Sequence, residues 1–300
     1  MRSSSASLLT MAAGALVLSA CLRTGRGQAR SQVQPPPGAT PAASQLIAAK
    51  AGLMAADYHA DLAALARLRD QVAPLGEDPA LGYLAHYWAG FASWRLAING
   101  ASHGMSNDDL KTHLERADTE LAASTRLRDD FTDGHAAAAG VNGWLLTFYL
   151  KSDPAAFQQH FDSMKRQLAR AKELAPNNPR LLWVEGGNLA FRPAAYGGDV
   201  EGGIRLYRRA AEASTAPDAS SPLPDWGKPE ALMALAYWHL NQAVPDLAAA
   251  TAEARAALEL QPEWSYVRDI LVPMIEARRK QPGAPAPPSQ PAPPPPAAGG

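Results

Sequence analysis

The chain has 300 residues, with 26 prolines, one cysteine and a formal net charge of −1 from 28 basic and 29 acidic side chains. One cysteine excludes an intramolecular disulfide and a cysteine metal cluster, and balanced charge without a long basic run excludes the electrostatic footprint of a nucleic-acid binder. Alanine supplies 62 residues against 9 valines and 5 isoleucines, which favours helix and argues against a large sheet, a parallel α/β enzyme or a β-sandwich.

The N-terminus opens with Arg2, and residues 8–18 form an apolar run of 11, too short to span a membrane. Small residues follow, and the segment ends Leu18-Ser19-Ala20-Cys21. This order of parts predicts a secretory signal peptide over 1–20. Its last four residues resemble the lipobox of bacterial lipoproteins. That resemblance implies that Cys21 is acylated, becomes the new N-terminus and holds the chain to a membrane through lipid. An ordinary signal peptide, cleaved near Ala20 with a free thiol left over, is the alternative. Leu22 follows the cysteine instead of an aspartate, which resembles the outer-membrane pattern of lipoproteins facing the periplasm. Residues 21–41, with Gly, Ser, Gln and three consecutive prolines, read as a flexible tether.

Residues 42–279 have helical apolar spacing almost throughout and hold 13 of the prolines, most of them at predicted helix boundaries. Met54, Tyr58, Leu62, Leu65, Leu68 and Val72 predict one long helix or two over 42–73. Tyr87, Trp88, Gly90, Phe91 and Trp94 place aromatic bulk beside a glycine. Ser106 is a predicted N-cap, with Asp108 and Asp109 suited to the first turn and Leu110, Leu114, Ala117 and Leu121 as the buried stripe. Asp153-Pro154 opens another helix, Phe157, Phe161, Met164, Leu168 and Ala171 mark its face, and Pro176 ends it. Gly197-Gly198 predicts positive φ angles in a turn before a helix begun by Asp199. Two long loops, 192–199 and 214–227, interrupt the pattern. After Lys280 the chain is rich in Pro and Ala and uncharged, so 280–300 reads as an unfolded tail.

Internal repetition appears when helix ends are aligned. Residues 171–176 (Ala-Lys-Glu-Leu-Ala-Pro) match 257–262 (Ala-Leu-Glu-Leu-Gln-Pro). Upstream, Met164, Leu168 and Ala171 share their spacing with Ala250, Ala254 and Ala257, and with Gly203, Tyr207 and Ala210. Pro176 and Pro262 lie 86 residues apart, two periods of about 34 with 18 to spare, which the two long loops accommodate. A weaker copy begins at Ser124. These residues resemble the second helix of a tetratricopeptide (TPR) repeat. Leu182-x2-Glu185-Gly186-x2-Leu189 stands where the family's first helix has W-x2-L-G-x2-Y, with glutamate and leucines as departures. The resemblance implies an all-α fold, a right-handed superhelical array of antiparallel helix pairs with degenerate repeats. With Tyr196 to Asp199 and Asp225 to Gly227 in this order, the chain also resembles envelope TPR lipoproteins and the TPR component of periplasmic solute transporters.

The sequence predicts no catalytic, cofactor or metal motif. No two of the seven histidines have the H-E-x-x-H spacing of a zinc helix, and Asp130, Asp133 and His135 read as a polar turn. The Gly-Gly pairs lack the strand that a phosphate-cradling loop follows, no serine sits in Gly-x-Ser-x-Gly, and no carboxylate pair stands out for acid–base work. Tyr196 and Trp226, on the two long loops, are the predicted exposed aromatics and the candidate partner-binding residues. The expected function is that of a non-catalytic, membrane-tethered scaffold in the bacterial envelope. It would bind a protein or peptide partner in the concave groove of its helix pairs, with no cofactor and no nucleic acid. The alternative is an accessory subunit of a periplasmic solute uptake system, and an enzyme is the third reading.

Overall fold

A computed structural model describes residues 40–280 except Thr215 and the side chain of Ala195. The predicted signal segment, Cys21, the tether as far as residue 39 and the tail from residue 281 lie outside the described residues. Within them the chain is all-helical, without a strand.

α1 (Pro41–Tyr58) starts at an N-cap, Thr40, whose hydroxyl accepts from the Ala43 N–H at 3.2 Å, with Pro41 in the first turn. Two helices, not one, occupy 42–73. His59 closes α1, Ala60 takes the left-handed conformation (φ 54°), and Asp61 caps α2 (Leu62–Val72) by accepting from the Ala64 N–H at 2.9 Å. A non-glycine residue there costs about 1 kcal/mol, offset by the new cap of similar worth. A 3₁₀ turn over Ala73–Glu77, with Pro74, leads to α3 (Gly82–Ser102). α3 is buried on nearly every face because it is apolar on nearly every face; Leu84, Tyr87, Trp88 and Phe91 are among its almost fully covered residues.

Most of the remaining helices begin at sequence-encoded caps; α5 and α11 do not. α4 (Asn107–Leu127) follows the Ser106 cap and buries Leu110, Leu114, Ala117 and Leu121. α5 (Thr132–Tyr149) buries the run Ala136–Ala139. α6 (Pro154–Leu174) follows Asp153, which accepts from two backbone N–H groups; Met164 and Ala171 of its stripe are buried, while Phe157, Phe161 and Leu168 are half-buried. α7 (Pro179–Ala190), α8 (Val200–Ala213) and α10 (Leu247–Leu260) start from Asn178, Asp199 and Asp246. Of the Gly197-Gly198 pair only Gly197 takes a positive φ, 83°, before α8; Gly198 is needed instead for close approach, since a Cβ there would overlap the Arg192 carbonyl oxygen. α9 (Lys228–Asn241) is capped by Glu230, whose carboxylate accepts from the Gly227 N–H at 2.8 Å. A π-helical stretch, Tyr266–Leu271, runs into α11 (Val272–Lys280).

Helices adjacent in sequence pack as pairs: α1 with α2, α3 with α4, α5 with α6, α7 with α8, and α9 with α10. The aligned positions lie inside these pairs. Ala171, Ala210 and Ala257 are each 0 % exposed, and so is Ser124. Small residues set the approach: a Cβ on Gly203 of α8 would stand 2.6 Å from Ala190 Cβ and 2.8 Å from the Gly186 carbonyl of α7. The two ends of the described chain also meet. Tyr58 of α1 packs edge-on against Trp264 (5.1 Å between ring centres), and Ser265 donates to the Tyr58 carbonyl at 3.2 Å.

Candidate partner-binding face

Lys50 sits on α1 among Leu46, Ile47, Ala49 and Leu53, and is 5 % exposed. An ammonium buried in apolar surroundings requires several acceptors. They come from the α8–α9 loop: Nζ donates to the carbonyls of Asp218 (2.9 Å) and Ser221 (3.1 Å) and to Asp225 Oδ2 (2.5 Å). Asp225 Oδ2 also accepts from the Asp218 N–H at 2.8 Å, which closes the loop on itself. On α3, Trp88 Nε1 donates to the Pro222 carbonyl at 2.8 Å. On α7, Arg180 Nη1 donates to the Trp226 carbonyl at 3.3 Å, while its Nε holds Asp133 of α5 at 2.8 Å. Side chains from α1, α3 and α7 therefore bind four backbone carbonyls of one irregular segment, residues 218–226. We call it the strap.

The strap overturns one sequence expectation. Trp226 is not an exposed loop aromatic; it is 2 % exposed. Its Nε1 donates to the Tyr87 hydroxyl at 2.8 Å, and its ring packs against Phe91, Trp94 and Trp183, with centres 5.5–6.3 Å away. The guanidinium of Arg95 lies over the same four rings at 4.7–5.6 Å. The loop folds inward because its carbonyls satisfy buried donors and its indole fills the space between α3 and α7. Tyr196, in the short 3₁₀ turn of the other long loop, is 71 % exposed. The two candidates are thus not alike, and the strap covers the faces of α1, α3 and α7 that it contacts.

A second polar group lies alongside. Asp57 Oδ2 is 3.4 Å from Arg95 Nε, and Asp57 Oδ1 accepts from Asn99 Nδ2 at 2.8 Å. Tyr58 donates to Glu230 Oε1 at 2.8 Å, so α1 also reaches the start of α9. Burial pushes the Asp57 carboxyl up, against the lowering effect of Arg95. Burial, with Glu230 beside it, pushes the Tyr58 hydroxyl well up, and burial does the same to Tyr87. Both tyrosines therefore keep their protons and serve as hydrogen-bonding groups that tie segments together.

Four of the histidines, His86, His135, His160 and His239, make cross-helix contacts. His86 meets Glu120 and His239 meets Glu253, each at 2.7 Å, and His160 meets Asn142 at 2.8 Å. Asp130, Asp133 and His135 do not converge. Asp133 is held by Arg180 and Asn178, His135 by Gln167 and the Asp129 carbonyl, and Asp130 lies beside Arg128. Among the described residues no three His, Cys, Asp or Glu side chains are grouped to hold a metal ion, and no helix is long and apolar enough to cross a membrane.

No protein-family model, curated protein or solved structure matches the chain. Sequence reasoning missed Lys50, Asp57, Tyr58, Tyr87, Arg95, Arg180 and Glu230 as the polar framework of the face. One signal was present: Lys50 and Arg95 are single cations inside apolar runs that must be buried, and a buried cation implies a partner elsewhere in the chain.

Proposed function

We propose that this chain is a non-catalytic adaptor: a TPR-like array of antiparallel helix pairs, tethered to an envelope membrane through acylated Cys21, that holds a protein or peptide partner. The observation that carries the reading is the way α1, α3 and α7 grip the strap. Lys50, Trp88 and Arg180 bind main-chain carbonyls while an aromatic cluster takes one side chain, and this is chemistry by which a helical scaffold can hold a peptide segment. The helix pairs and their aligned small residues support the array, and exposed Tyr196 offers an outer contact on the α7–α8 loop.

Crosslinking and mass spectrometry of the full-length, lipidated chain in its own membrane tests this. The expected result is one reproducible protein partner with crosslinks to the helical body, together with loss of membrane association in Cys21→Ser. Crosslinks no richer than those of an unrelated lipoprotein would contradict the adaptor reading. A Cys21→Ser chain that stays with the membrane fraction would contradict the tether.

A further inference from the structure

The strap is a polypeptide already seated on the helices, and its contacts describe what the covered face recognises. We propose that the strap is a self-ligand: the face made by α1, α3 and α7 is a binding site for a turn-forming, proline-containing peptide that carries a carboxylate next to an aromatic residue, as Asp225-Trp226 does. The inference rests on the adaptor reading and names the chemistry of its partner.

Three features separate this arrangement from ordinary loop packing. First, the helices bind the strap's backbone with side chains, at Asp218, Ser221, Pro222 and Trp226, so that recognition reads the main chain of a turned segment as well as its side chains. Second, the side-chain contacts are concentrated in two adjacent residues. Asp225 pairs with Lys50, and Trp226 enters the cluster of Tyr87, Arg95 and Trp183. Third, the seat is incompletely satisfied beneath the indole. Arg95 Nη2 and Trp183 Nε1 are buried donors without a hydrogen-bond partner, and Arg95 Nε has only the Asp57 carboxylate, at 3.4 Å, so the closed state leaves donors of the cluster incompletely satisfied. A competing peptide that offered an acceptor there would gain contacts the strap does not make. Pro222 and Pro224, with Pro217 just before the strap, restrict its backbone, which lowers the entropy lost when such a segment is held.

The test supplies the strap in trans. In the full chain, residues 217–226 are exchanged for a Gly–Ser segment of equal length, which leaves Gly227 and the Glu230 cap in place. Fluorescein-labelled peptide 216–227 is then titrated with this chain and with wild type, and anisotropy is read. Saturable binding to the strapless chain but not to wild type is expected. Lys50→Gln in the strapless chain should weaken it about tenfold, as should exchange of the peptide's Trp226 for Ala. A strapless chain with native helical circular dichroism that does not bind overturns the proposal, as does equal binding by wild type, which would place the peptide elsewhere. If the strapless chain loses its helicity, the Asp225→Ser/Trp226→Ala chain replaces it. Loss of helicity in that chain too would show the strap to be core and overturn the inference. A partner crosslinked to other faces of wild type would leave the adaptor reading standing even when this test fails.

Discussion

Burial pushes the Asp57 carboxyl above its ordinary value of 3.8, although Arg95 lies 3.4 Å away. The folded chain therefore holds this proton more tightly than the unfolded chain does. The stability that follows is fully present below the ordinary value and is lost as pH rises through the raised, native one. In urea unfolding between about pH 3.5 and 7, wild type should lose stability with rising pH relative to Asp57→Asn, which has no proton to release there. A difference between the two that stays flat, or grows with pH, would contradict this account. Nothing in the local sequence marks Asp57 as unusual. It lies two residues from His59 and four from Asp61, and it becomes distinctive only because α3 brings Arg95 and Asn99 to it.

At the scale of the helix pair, much was legible. The stripe of α4 and the caps at Ser106, Asp153 and Asp199 are found where spacing and cap chemistry place them. Caps and stripes involve residues within a few positions of each other, so local sequence suffices. The contact between α7 and α8 shows what a pair requires beyond helix propensity. Alanine is the better helix former by about 1 kcal/mol, yet Gly203→Ala would drive a Cβ to 2.6 Å from Ala190 Cβ and 2.8 Å from a backbone oxygen. We expect a net loss of about 1–3 kcal/mol in chemical denaturation, because neither neighbour is a flexible side-chain end. A stabilised variant would mean that α7 and α8 do not approach as closely as described.

Across the molecule, the contacts that join distant parts are few and specific. Lys50 and Asp225 are 175 residues apart in sequence, and Tyr87 and Trp226 are 139 apart. Trp226→Ala should cost about 3–5 kcal/mol, since it empties a site lined by three aromatic rings and a guanidinium. Tyr196→Ala, at a site 71 % exposed, should change stability by less than about 0.5 kcal/mol. Urea denaturation of the two variants side by side checks the contrast, and comparable losses would refute the burial assigned to Trp226. The sequence could not separate these two aromatics. Both lie in long polar loops, and what distinguishes them is whether buried donors elsewhere capture the loop.

The sequence by itself determined the all-helical class, most helix starts and the small-residue positions inside the pairs. Each of these depends on hydrogen bonds and side-chain spacing within one or two turns. Only the tertiary structure decided that 42–73 is two helices, that α1 reaches α9, and that residues 218–226 turn inward. Those outcomes follow from satisfying buried charges. Lys50 finds its acceptors in a loop 168 to 175 residues away, and no local pattern encodes that pairing.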